Sequence, residues 1–86
     1  MITAKNLVKH ELTGLQVEVV ESTDPTKIGI KGIVVGESKG IITIETAHGE
    51  KRVPKNEGVF RFTLEKEKVE IKGEKLAGRP EDRIKK

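Results

Sequence analysis

The chain has 86 residues, 36% of them charged, with a formal net charge of +3 and no cysteine, tryptophan or tyrosine. That length predicts one domain, residues 1–86, with a limited core, and the missing thiols exclude disulfides, thiolate zinc sites and cysteine nucleophiles. No apolar run approaches the ~20 residues that span a bilayer, and the N-terminus lacks a signal-peptide apolar stretch, so a soluble cytoplasmic protein is expected.

Thr3 to Leu12 reads as a short helix, with Thr3 as its cap, an apolar stripe of Leu7, Val8 and Leu12, and Gly14 as its end. Leu15, Val17 and Val19 then alternate with Gln16, Glu18 and Val20, the period of a half-buried strand. Ser22-Thr23-Asp24-Pro25 breaks the pattern with turn chemistry. A second run, Ile28, Ile30, Ile33, Val34 and Val35, is interrupted by Gly29, Gly32 and Gly36. Glycine weakens a strand unless a bulge or bend is needed, so one long strand bent at its glycines is expected, in a small and strongly curved barrel.

Ser38-Lys39-Gly40 is a turn signal, and Ile41, Ile42, Thr43, Ile44 and Thr46 form a β-branched strand. Ala47 to Glu50 reads as the next turn, Lys51 to Pro54 as a brief strand, and Lys55 to Gly58 as a loop. Val59 to Leu64 is a clear strand with Phe60, Phe62 and Leu64 on one face. After the charged hairpin Glu65-Lys66-Glu67, Val69 and Ile71 mark a last strand, and Gly73 to Leu76 is expected as a short edge. Arg79-Pro80-Glu81-Asp82 resembles a helix start, so the tail is a short helix or a basic arm. The expected fold is mostly β: a curved antiparallel barrel of five to seven strands over residues 13–76, after an N-terminal helix region (1–12) and before a basic tail (77–86).

Little in this chain suggests catalysis by its own residues. His10 and His48 are the only histidines, and neither has a second imidazole at ligand spacing, so no metal site is expected. The carboxylates are scattered over hairpins and strand faces, no glycine precedes a Lys-Ser/Thr pair as in a phosphate loop, and no catalytic residue is assigned. The charge is uneven: residues 1–50 hold 5 Lys/Arg against 7 Asp/Glu, whereas residues 51–86 hold 12 against 7. A basic second half is what a polyanion-binding face requires, although a solvated surface of mixed charge gives the same counts. The parity of Phe60 and Phe62 places both in the core, which leaves no platform for stacking bases. RNA recognition would then act through cations on phosphates. The candidates are Lys51, Arg52 and Lys55 around the proline turn, Arg61 on the outward strand face, and Arg79, Arg83, Lys85 and Lys86 in the tail.

His10-Glu11-Leu12-Thr13-Gly14, Gly29-Ile30-Lys31-Gly32, Val53-Pro54-Lys55, Phe60-Arg61-Phe62 and Gly78-Arg79-Pro80 occur in this order and at this spacing. In combination they resemble the archaeal ribonuclease P protein component 1 family, Sm-like barrel subunits with a counterpart in eukaryotic ribonuclease P and MRP. The resemblance implies a role in removing 5′ leaders from precursor tRNA, with catalysis carried by the RNA subunit. It implies binding to the specificity domain of ribonuclease P RNA, pairing with a zinc-ribbon protein subunit, and only indirect contact with precursor tRNA. It also implies that this chain binds no cofactor of its own, magnesium serving the RNA-catalysed reaction. The N-terminal helix region and the second strand would face the protein partner, through Leu7, Val8, Leu12 and Lys31; the three apolar residues would equally serve to cover the open end of the barrel. Two other readings stand beside this one: a ribosome- or translation-associated RNA-binding barrel, and a protein-only adaptor that uses its sheet edge.

Overall fold

The computed structural model describes residue 7 and residues 10–77. Six strands form one antiparallel sheet: β1 (Gln16–Ser22), β2 (Lys31–Glu37), β3 (Ile41–Thr46), β4 (Gly49–Pro54), β5 (Gly58–Thr63) and β6 (Lys68–Lys72). Their order in space is β4-β3-β2-β1-β5-β6. Hairpins account for every pairing except β1 with β5, which joins the two halves of the chain.

Strand period selects the buried face. Val17 and Val19 of β1 point inward, as do Val34 of β2, Ile42 and Ile44 of β3, Val53 of β4, Phe60 and Phe62 of β5 and Ile71 of β6. Phe60 and Phe62 are fully buried with ring centroids 6.5 Å apart, as their parity predicts. Leu7, Leu12, Leu64 and Leu76 complete the same cluster from outside the strands.

The expected long second strand is shorter than its isoleucines suggest. Pro25–Lys27 forms a 3-10 turn capped by Asp24, and the strand begins only at Lys31. The three glycines of this run do different work. Gly29 turns the chain at φ +90°, a backbone that β-branched residues avoid. Gly32 lies so close to β3 that a Cβ there would strike the Glu45 carbonyl oxygen. Gly36 follows a bulge, where the pairing of β2 with β3 shifts between Val34 and Gly36. A second bulge interrupts β1 against β5 between Val19 and Glu21. Bulges bend a strand and increase its twist, so curvature enters the sheet on both sides of the β1–β2 pair.

The curl is completed by loops. β4 and β6 lie at opposite ends of the strand order. Each is followed by a 3-10 turn, Lys55–Glu57 and Gly73–Leu76, and the two turns pack on one another. Gly73 has no room for a side chain: a Cβ would meet the Lys55 carbonyl oxygen and approach Phe60 Cε2 to 2.7 Å. Gly73 to Leu76 is therefore a helical turn that closes the barrel and not the expected edge strand, because its buried Leu76 is directed into the core. The expected N-terminal helix falls largely outside the described residues, and its described end is not helical: Leu12 directs its backbone N–H to the Glu37 carboxylate, 2.8 Å away. The tail helix also lies outside the described residues.

Candidate nucleic-acid interface

Charged residues on the outward face fall into register. Lys31 of β2 stands opposite Glu18 of β1, Glu18 opposite Arg61 of β5, and Arg61 opposite Glu70 of β6. Residues directly opposite on antiparallel strands share a face, so four strands carry one row of alternating charge. Arg61 takes both carboxylates. Its Nη2 and Nε donate to Glu70 Oε2 at 2.7 and 3.1 Å, and its Nη1 lies 3.8 Å from Glu18 Oε1. The hydrogen bond to Glu70, with the nearby charges of Glu70 and Glu18, raises the guanidinium pKa above its ordinary value. Arg61 is thus placed outward, as its parity predicts, but inside a local cluster of opposite charge.

The other cations are distributed differently. Lys51 and Arg52 are both exposed on β4, at one end of the sheet. Arg52 stands opposite Thr43 on the outward face, and Lys51 opposite Ile44 on the alternate face. Lys51 therefore borders an open cleft that Lys31, His48, Ile28 and Ile30 also line. Lys39, exposed in the turn between β2 and β3, borders a second hollow with Asn56 and Ala77.

Lys55 corrects the sequence expectation. Its side chain is 1% exposed, and its Nζ donates to Glu37 Oε1 at 2.8 Å. The same carboxylate accepts the Leu12 N–H through Oε2. An ammonium enclosed in this way presents no charge to a polyanion at the surface. Its backbone explains the burial: Lys55 N–H donates to the Gly40 carbonyl at 2.8 Å, which draws the turn after β4 beneath the β2–β3 hairpin that carries Glu37. Nothing local in the sequence marks this pair, because a Glu beside a turn and a Lys after a proline both read as solvated.

The expected partner anchors are likewise divided. Leu7 and Leu12 are fully buried in the core, so they cover the barrel and are not exposed apolar anchors. Lys31 is exposed at the start of β2. Val8, Arg79, Arg83, Lys85 and Lys86 lie outside the described residues. Sequence reasoning passed over His48 and Lys39, which register and turn position bring to the two hollows. Among the described residues, no three His, Cys, Asp or Glu side chains are grouped to hold a metal ion. No helix among them is long and apolar enough to cross a membrane.

Comparison with known proteins adds to this geometry. The family model for ribonuclease P/MRP, subunit p29, matches residues 5–86. "Ribonuclease P protein component 1" of Methanosphaera stadtmanae is 49% identical over 87 aligned positions, covering 100% of this chain and 94% of the relative. The protein of the same name from Methanocaldococcus jannaschii is 48% identical, covering 100% and 92%, and that of Pyrococcus furiosus is 45% identical, covering 99% and 68%. A solved structure described as Mth11, a homologue of human RNase P protein Rpp29, is 44% identical with a TM-score of 0.62, covering 87% of this chain and 99% of that one. With the family model matching residues 5–86 and relatives of 45–49% identity covering the chain almost throughout, this chain belongs to the ribonuclease P/MRP subunit p29 family.

Proposed function

We propose that this chain is a protein subunit of ribonuclease P, the ribonucleoprotein that removes 5′ leaders from precursor tRNA. The observation that carries the reading is the family match over residues 5–86, with relatives named as ribonuclease P protein component 1 along the whole chain. In this reading the RNA subunit carries out cleavage, with magnesium bound by the RNA. The chain binds and supports the specificity domain of that RNA in partnership with a zinc-ribbon protein subunit, in the cytoplasm. Its contribution is electrostatic and architectural: exposed Lys51 and Arg52, with the basic tail, neutralise phosphates, while the curved sheet fixes Lys51 and Arg52 on β4. Arg61 contributes little net field, because two carboxylates surround it.

Reconstitution tests the reading. Ribonuclease P RNA and its proteins are assembled with and without this chain, and precursor tRNA cleavage is followed at low magnesium. Cleavage should fall when the chain is left out and return when it is added. Equal rates in both assemblies would refute the proposal. Copurification with ribosomal RNA in place of ribonuclease P RNA would assign the chain to a translation-associated role.

A further inference from the structure

The hollows of the described surface differ in charge; the one beside Lys39 has no carboxylate among the described residues that line it, but its second lysine, Lys55, is paired with Glu37. The depression over β1, β2 and β5 contains Glu18 with Lys31, Arg61 and Lys68. The hollow beside Gly58 and Gly73 contains Glu21, Glu57 and Glu74 against Lys72. The cleft between the β1–β2 loop and the β3–β4 hairpin is lined by Lys31, Lys51 and His48, with no carboxylate among the described residues that line it. Lys31 faces Glu18 in register, but Arg61 and not Lys31 makes the ion pair with that carboxylate. Neither Lys31 nor Lys51 has an ion pair within 4.0 Å among the described residues. Part of the lining is apolar, with Ile30 half-buried and Ile28 50% exposed. Two ammonium groups with no ion pair within 4.0 Å among the described residues, beside an exposed isoleucine, suit an anionic ligand that also has an uncharged face.

We propose that this cleft is an RNA-backbone contact site, in which Lys31 and Lys51 take phosphates and Ile28 packs against the adjoining sugar or base. The proposal rests on the ribonuclease P reading for its choice of RNA over an acidic protein segment. Within that reading it moves Lys31 from the protein partner to the RNA, joins it to Lys51, and adds His48 as a polar neighbour. The site is built by tertiary structure: Lys31 opens β2 and Lys51 lies in β4, and β3 separates the two strands. The cleft is lined both by the loop carrying Ile28 and by the β3–β4 hairpin, so Lys31 from the outward face and Lys51 from the alternate face both border it.

The test measures binding of the full chain to labelled ribonuclease P RNA across a salt series. It compares wild type, K31A/K51A and the control K66A/K68A, which removes two exposed lysines in and beside the β5–β6 hairpin. Two lost phosphate contacts should lower the slope of log affinity against log salt by about 1.4 to 1.8, at about 0.7 per phosphate on single strands and 0.9 on duplex. The control should leave the slope unchanged. A K31A/K51A slope equal to wild type, or a loss matched by K66A/K68A, overturns the cleft as a specific contact. Unchanged RNA binding with lost capture of the zinc-ribbon subunit gives the cleft to the protein partner, and also overturns the proposal. Failure of the wild-type chain itself to bind this RNA would count against the ribonuclease P reading and not against the cleft alone.

Discussion

Lys51 and Lys55 belong to one short basic run, yet one ammonium meets water and the other a carboxylate. Burying two charges is costly, and removing one partner leaves the other uncompensated. Lys55→Met should therefore destabilise the protein by about 3–5 kcal/mol in urea unfolding. Adding Glu37→Gln should recover part of that loss, because the carboxylate that faced Lys55 no longer carries a charge while a side-chain oxygen remains for the Leu12 N–H. A double variant as unstable as the sum of its single substitutions would show that the two residues do not act as a pair. Asp24 presents a different balance at the surface. Its carboxylate accepts hydrogen bonds from the Thr26 hydroxyl at 2.7 Å and the Thr26 N–H at 3.0 Å, and these hold its pKa below the ordinary aspartate value. A carboxyl depressed by folding stabilises above its unfolded pKa, and that contribution disappears as pH falls through the folded one. The Thr26 amide resonance should accordingly titrate with a midpoint below that of an unperturbed aspartate. A midpoint at or above the ordinary value would show that the cap is not formed in solution.

Among the elements, the two closing turns and the bulged strand β2 place opposite demands on glycine. Gly73 sits where the Lys55 carbonyl oxygen and Phe60 Cε2 leave no space, whereas nothing lies within 4 Å of a Cβ built on Gly36. Gly73→Ala should lower stability by about 1–3 kcal/mol, the usual cost of forcing atoms into a packed site. Gly36→Ala should be nearly neutral. Thermal melts of the two variants check the contrast, and equal losses would mean that the turns do not pack as closely as the structure places them. The same closure has a functional side. It carries Lys55 inward and leaves Lys51 and Arg52 exposed on β4, so the turn that packs against Gly73 to Leu76 also decides which cations of this run stay exposed.

At the scale of the whole molecule, charge is separated from scaffold. Among the described residues the core comes from all six strands and four flanking leucines, and the exposed cations lie on strands and turns around it. Arg79 and Arg83 belong to the segment after the barrel and lie outside the described residues. Replacing both with alanine should weaken binding to ribonuclease P RNA and reduce its salt dependence, with little change in melting temperature. A large drop in melting temperature with unchanged affinity would assign the two arginines to the fold.

The sequence by itself determined the strands. β-branched residues at period two, broken by Gly, Pro and Asp turns, mark β1, β3, β5 and β6 almost to their ends, and the parity of Phe60 and Phe62 fixes which face is buried. Those signals are legible because they depend on neighbours in the chain. The start of β2, the role of Gly73 to Leu76 and the burial of Lys55 depend on contacts between distant segments, and local patterning does not encode them. Tertiary structure alone decided which lysines are spent inside the barrel and which meet at its cleft. A lysine side chain is long enough to reach water or a buried carboxylate, and only the packing around it selects between the two.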